Sequence, residues 1–285
     1  MKIGNKKFIN ENLNNNNLYA KKKFGQNFLT DQNILNSIVD VSNLTKDDLV
    51  IEIGPGLGSL TELLCEKAGF VLAYEIDTDL IPVLKQNLNE YNNFEIINKD
   101  ILEVDINTDI DKYKKNYNNI YLVSNLPYYI TTPIILNTLS KTNKIKRYVM
   151  MMQEEVADRI CGKPKTKDYN ALSIAIKYRA TAKKAIRVPR TVFIPEPNVD
   201  SAVVVLDIYD TPKYKADNEE LFFEFIRDCF SMRRKTLLNN LNKYNKELIT
   251  NMLNSYNIKL NVRAEELEIE DFINMSNYIN KNKSA

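Results

Sequence analysis

Histidine is missing from this chain altogether, which removes serine–histidine and cysteine–histidine nucleophile systems and every histidine-containing metal site. Cysteine is scarce. Cys65, Cys161 and Cys229 lie far apart and form no Cys-x-x-Cys pair, so neither a disulfide framework nor a zinc site is expected, and the thiols read as free in a reducing compartment. No apolar run approaches the roughly 18 residues of a membrane span, and the polar segment 1–17 lacks the apolar core of a signal peptide. Together these absences predict a cytoplasmic protein with no metal and no membrane contact.

What is present suffices for a core: 285 residues with 44% apolar content correspond to one large domain or two smaller ones. Residues 1–20 are Asn-rich and weakly apolar, and are expected to form a flexible basic arm because they bury too little surface to order themselves. Residues 1–23 hold six lysines against Glu11, in a chain whose net charge is only +2. Such a run is either a solvated face or a contact to phosphates, and both readings stay open.

From Lys21 onward, strands and helices alternate. Thr30 and Asp31 stand as N-caps before a helix whose apolar face is Ile34, Leu35, Ile38 and Val39. The buried strand Leu49–Ile53 runs into Gly54-Pro55-Gly56-Leu57-Gly58 and then the helical Ser59–Lys67, an order that forms a nucleotide-type loop. A second strand, Phe70–Tyr74, ends in Glu75, where a carboxylate suits both hydroxyls of a ribose. A third, Phe94–Asn98, delivers Asp100, placed either to bind an adenine amine or to N-cap a helix before Ile101 and Leu102. The third loop glycine comes one residue early for a dinucleotide fingerprint, with Ser59 in the expected place, which disfavours NAD. S-adenosyl-L-methionine carries an amino acid head that needs polar groups such as Asn27, and it is the cofactor expected here, without a metal.

The chemistry is expected at Asn125-Leu126-Pro127-Tyr128, which follows the apolar run Ile120–Val123. Proline stops the strand by removing a donor, and ligands of open parallel sheets sit beyond the strands' carboxyl ends. An amide oxygen on Asn125 and a free Leu126 carbonyl can accept both N–H hydrogens of a base amine while the Tyr128 ring stacks on its face. The plainer alternative is a strand-to-helix turn whose tyrosine is ordinary core.

Further along, Arg147–Met152 reads as a strand, Gln153–Ile160 as a helix, Asn170–Tyr178 as a helix and Ser201–Ile208 as a closing strand. Pro189, Pro195 and Pro197 frame an extended segment carrying Phe193, which is a second wall for the base or plain core packing. Lys183, Lys184, Arg187 and Arg190 form a second basic cluster. After Asp210 the patterns are helical and include a third, Arg233-Arg234-Lys235, and three such clusters with interspersed aromatics favour a nucleic acid partner. The expected organisation is an arm (1–20), a Rossmann-like α/β methyltransferase domain (21–209) and a small all-helical RNA-binding domain (210–285).

Phe24-Gly25-Gln26-Asn27-Phe28-Leu29, Glu52-Ile-Gly54-Pro-Gly56, Asn125-Leu-Pro-Tyr128, Thr131-Thr-Pro133, Gln153-x-Glu155-Val156, Phe193-x-Pro-x-Pro-x-Val199-x-Ser201 and Arg234-Lys-Thr-Leu together resemble the small-subunit ribosomal RNA adenine N6-dimethyltransferase family. The resemblance covers nearly the whole chain from Lys21. It implies transfer of four methyl groups to two adjacent adenosines in the 3′-terminal hairpin loop of 16S rRNA on the immature 30S subunit, by a monomer. It also implies that Asn27, Leu29, Gly54, Gly56, Glu75, Asp100 and Asn125 contact S-adenosyl-L-methionine, and that Tyr128 and Phe193 sandwich the base. Two residues depart from the family: Glu154 replaces a common Lys or Arg, and Asn170 a common Gly or Ser. Macrolide-resistance methyltransferases of large-subunit RNA, which usually have Ile in place of Leu126, are the second choice. A non-enzymatic RNA-binding assembly factor is the third, and the intact Glu75, Asp100 and Asn125 argue against it.

Overall fold

The computed structural model describes residues 2–16, 18–113 and 116–282, and it begins with a helix where a flexible arm is expected. Helix α1 (Lys6–Asn15) is capped by Asn5, whose side chain accepts from Lys7 N. Ile9 and Leu13, one turn apart, are buried in one apolar cluster with Leu57, Leu80 and Val83. Composition describes what the segment can do alone; packing against distant residues is what orders it. Part of its charge is also taken up, Lys2 by Glu66, Lys7 by Glu11, and Lys21 by Asp77 and Asp79.

The chain continues through β1 (Phe28–Leu29), α2 (Gln32–Ser42), β2 (Asp48–Ile53), α3 (Ser59–Lys67), β3 (Phe70–Tyr74), α4 (Leu80–Asn87), β4 (Phe94–Ile97), α5 (Ile106–Tyr113), β5 (Asn119–Asn125), α6 (Thr131–Lys141) and β6 (Ile145–Gln153). Then come α7 (Glu154–Ile160), α8 (Ala171–Arg179), β7 (Ala180–Val188), β8 (Phe193–Ile194) and β9 (Ser201–Ile208). Asp31 caps α2 as its position predicts, accepting from Asn33 N and Ile34 N.

Seven strands form one sheet in the order β4-β3-β2-β5-β6-β9-β7. β4 to β6 run parallel, and β9 is antiparallel to β6, with Ser201 opposite Gln153. The central strands are apolar on both faces, as a sheet covered on both sides requires. The order of connection reverses at β2, with β3 on one side and β5 on the other, and this is where an open parallel sheet leaves a crevice.

Two compact units divide the chain. One comprises the residues up to Ala157 together with Lys183–Ile208; the other comprises Asp158–Ala182 with the chain from Tyr209 onward. The helical body therefore does not begin at 210 alone, because it also recruits 158–182. It holds α8 with α9 (Glu219–Cys229), α10 (Leu237–Asn240), α11 (Lys246–Ser255) and α12 (Ile269–Asn282), and no strand follows residue 208 among the described residues. Ile174 and Tyr178 of α8 share a core with Phe222, Phe225, Phe272 and Ile279, the Tyr178 and Phe222 rings lying 4.9 Å apart. Tyr178 Oη accepts from Ala216 N at 3.0 Å and donates to Glu219 at 3.1 Å, so the phenol inside this core is satisfied. Asn170, the departure from the family, keeps the local turn: its side chain accepts from Leu172 N and its own N–H donates to Ser173 Oγ, a capping box on extended backbone.

Candidate active site

A cavity at the carboxyl ends of β2, β3 and β5 gathers residues from segments far apart in sequence, among them Asn27, Leu29, Gly54, Gly56, Glu75, Asp100, Asn125, Leu126 and Tyr128. Of the residues the sequence singles out for cofactor and base, only Phe193 is not on its wall. Gly54 and Gly56 both take positive φ, 69° and 61°, which a side chain would strain. At Gly56 a Cβ would also come within 3.3 Å of the Phe28 ring, so the loop packs tightly there.

Glu75 is nearly buried, at 4% exposure. Its Oε1 accepts from Asp77 N at 2.8 Å and its Oε2 from Gly56 N at 3.3 Å, so the acid at the end of β3 is oriented by the glycine loop it faces. Burial pushes its carboxyl up to about 7 against the pull of these backbone donors. Asp100 caps a turn, not a helix, and lies on the cavity wall. One of its oxygens accepts from Leu102 N at 2.9 Å.

At the end of β5, Leu126 N donates to Met151 O at 3.0 Å, the last rung before Pro127 interrupts the ladder. No donor among the described residues reaches the Leu126 carbonyl. Asn125 Nδ2 donates to the Asn27 carbonyl at 3.4 Å, which commits the amide nitrogen and leaves Oδ1 as an acceptor. Tyr128 is half-buried, and its phenol lies 2.6 Å from Ser201 Oγ on β9. Two acceptors and an oriented ring thus stand side by side at one strand end, as the tetrapeptide predicts.

Phe193 takes the other of its two readings. It is 3% exposed, opposite Leu29 in the β1–β8 pair, and packs in a cluster with Leu29, Leu35 and Ile38. The expected second wall is core in this conformation, because the Pro-framed segment pairs with β1 and turns the ring inward.

Ile76, Ile101 and Tyr129, to which the sequence reading gives no site role, also line the cavity, and so does Glu52. Ile76 and Ile101 flank it as apolar walls, each directly after a predicted acid, and the adjacency is the signal that marks them. Tyr129 is 51% exposed and sits against Gly25. Glu52, hidden in the middle of a buried strand, is 1% exposed, and its Oε2 has no hydrogen-bond partner among the described residues. Burial, with the charge of Glu75 adding to it, pushes its carboxyl up to about 8. A buried carboxyl with one unpartnered oxygen, beside a glycine cradle and the buried Glu75, suits a cationic nucleoside with an amino acid head, and S-adenosyl-L-methionine is such a group. No group of acidic and thiol side chains that would hold a metal exists among the described residues.

Basic clusters are less free than their sequence suggests. Arg187 pairs with Asp200 at 3.0 Å, Arg190 with Glu196 at 3.0 Å and Lys184 with Glu154 at 3.4 Å. Glu154, the second departure, therefore neutralises neighbouring cations. Arg233 lies 3.7 Å from Glu265, whereas Arg234 and Lys235 are exposed with no carboxylate partner among the described residues.

Comparison with known proteins places the chain in a family. Residues 17–281 match the family described as ribosomal RNA adenine dimethylase. The chain is similar to the ribosomal RNA small subunit methyltransferase A of Alkaliphilus oremlandii, with 48% identity over 264 residues that cover 91% of this chain and 92% of that protein. Among solved structures it is similar to a dimethyladenosine transferase from Plasmodium falciparum, at 26% identity and a TM-score of 0.74, covering 90% of this chain and 98% of that one. It also shares the fold of the 23S rRNA methyltransferase ErmE, at 24% identity and a TM-score of 0.67, covering 88% of this chain and 99% of that one.

Proposed function

The chain belongs to the ribosomal RNA adenine dimethylase family, and from that premise we infer that it dimethylates N6 of adenosines in small-subunit ribosomal RNA, with S-adenosyl-L-methionine as methyl donor. The observation that carries the reading to particular atoms is the pair of unfilled acceptors, Asn125 Oδ1 and the Leu126 carbonyl, at the end of β5 in the same cavity as Glu75. The Rossmann-like fold and the methyltransferase class are common to the relatives. The finer assignment is ours: two adjacent adenosines of the 3′-terminal hairpin loop, four methyl groups, an immature 30S subunit as the substrate particle, a monomeric enzyme, and work in the cytoplasm.

Bound S-adenosyl-L-methionine supplies an electrophilic methyl group on a sulfonium. Glu75 is assigned to the ribose hydroxyls, Asp100 to the adenine amine of the cofactor, Gly54 and Gly56 to close backbone approach, and Asn27 and Leu29 to the amino acid end. Glu52, unmatched and buried, is assigned to the positive charge of the same group. An adenine amine is a weak nucleophile because its lone pair is delocalised into the ring. Acceptors on both of its N–H hydrogens favour a pyramidal nitrogen and free the lone pair for attack. Tyr128 replaces the stacking that the base gives up when it leaves the RNA. No protein base is required, since the alkylated nitrogen is acidic enough to lose its proton to water, and positioning supplies most of the acceleration.

The test is transfer of labelled methyl groups to immature small subunits, followed by mass spectrometry of the digested RNA. Dimethyladenosine at two neighbouring positions of the 3′-terminal loop is expected. Label only in large-subunit RNA would point to the macrolide-resistance chemistry, whose solved relative shares the fold alone. RNA binding without any transfer would point to an assembly factor.

A further inference from the structure

We propose that Asp77 is a positioning residue for the ribose end of the cofactor site, held by Lys21 and Gln26 so that the N-terminal helix and the cofactor stabilise each other. The proposal rests on the cofactor reading above. Asp77 is 2% exposed, and its two oxygens are fully used: Lys21 Nζ donates to Oδ1 at 2.6 Å and Gln26 Nε2 to Oδ2 at 2.7 Å. Lys21 Nζ also donates to Asp79 at 2.6 Å, and Lys21 N to Gln26 Oε1 at 2.8 Å, so the two donors brace each other. From the same residue, the backbone N–H donates to Glu75 Oε1. Any shift of Asp77 therefore moves the group that orients the ribose acceptor.

Charge points the same way. Asp77 lies two residues from Glu75, and a bare carboxylate there disfavours ionisation of Glu75, the form that accepts ribose hydroxyls best. Lys21, shared with Asp79, offsets part of that charge. The lysine also sits at the start of the segment leading from α1 into Phe24–Leu29, whose Gly25, Asn27 and Leu29 line the cavity. Upstream, α1 packs on Leu57 of the glycine loop and on Leu80. An ion pair to a buried carboxylate thus joins the arm to the cofactor floor. Linkage is reciprocal: if the arm favours cofactor binding, the cofactor must favour the ordered arm by the same factor.

The experiment uses the full-length protein and S-adenosyl-L-methionine. Calorimetric Kd values are measured for wild type, Lys21→Met and Lys21→Arg, and amide hydrogen exchange of residues 6–15 is followed with and without cofactor. Lys21→Met should weaken binding by about tenfold, Lys21→Arg should restore most of it, and cofactor should slow exchange in α1 of wild type but not of Lys21→Met. Gln26→Met, which removes the other donor, should weaken binding in the same direction if Lys21→Met fails to fold. Unchanged Kd in both variants, or α1 exchange indifferent to cofactor in wild type, overturns the coupling and leaves the cofactor assignment standing. Wild type that binds no S-adenosyl-L-methionine overturns the assignment itself.

Discussion

The Tyr128 phenol and the Ser201 hydroxyl lie 2.6 Å apart, joining the end of the central strand β5 to the first residue of β9, with Ser201 fully buried. If Tyr128 stacks on the base as proposed, its ring needs a fixed plane, and this bond holds it. Ser201→Ala should lower the single-turnover rate by about fivefold, the equivalent of roughly 1 kcal/mol for one lost hydrogen bond, with little change in cofactor Kd. Tyr128→Phe should do the same, and the double variant should be no worse than either single one. Additive losses in this cycle would mean that the two groups act separately.

If Glu75 holds the ribose as proposed, cofactor binding should depend on pH. Burial holds its carboxyl near 7 in the free protein, and ribose hydroxyls donate better to the ionised form. Affinity for S-adenosyl-L-methionine should therefore fall as pH drops below about 7, by at most about tenfold per unit, with a proton released on binding. Glu75→Gln should bind weakly and without this slope. Calorimetry in buffers of different ionisation enthalpy reads both the affinity and the proton; a flat wild-type profile would remove the acid from the ribose.

Methyl transfer itself should behave differently. In the proposed mechanism Asn125 and Leu126 act as acceptors without titrating, and the chain has no histidine. At saturating cofactor and RNA, single-turnover rates should be nearly constant between about pH 5 and 7.5. A tenfold rise per unit that disappears in Asp100→Asn would reveal a general base.

Glu52 should cost stability. An acid whose folded pKa exceeds its unfolded value keeps its proton longer when folded. Stability then declines as pH rises from about 4.5 to about 8, by up to about 1.4 kcal/mol per unit. Glu52→Gln should melt higher than wild type, and the gap should widen from pH 5 to pH 8. Thermal unfolding without cofactor measures it, and a constant gap would mean that the carboxyl is not neutral when folded.

Arg233, Arg234 and Lys235 offer unequal charge. Because Arg233 is paired with Glu265 while its two neighbours are exposed and unpaired among the described residues, neutralising all three should reduce the salt slope of RNA binding by about two contacts rather than three. An unchanged slope would show that the cluster is only solvated.

Much of the site can be read without coordinates because its signals are local. A glycine loop between strand and helix, an acid at the end of the next strand, and a proline after an apolar run each report a backbone event a few residues long. Glu75 and Asn125 follow from such events. What escapes is what depends on distant partners. Ile9 and Leu13 look like isolated apolar residues in a polar tail until Leu57 and Leu80 are placed beside them. Phe193 turns inward because its strand pairs with Leu29, a pairing 164 positions long that no local pattern encodes. α4 and α5, each eight residues long, give too few turns for a clear periodic signal.

The helical body is stitched from two separated stretches, and this sets an order for its birth on the ribosome. α8 leaves the exit tunnel well before α9 to α12, yet Ile174 and Tyr178 find their partners only in those later helices. Synthesis proceeds at about 5–20 residues per second, so the nascent chain carries an uncovered apolar helix for several seconds or more while the remaining segments are made. That interval is when a chaperone has something to hold, and a fragment starting at residue 210 never receives the α8 side of its own core.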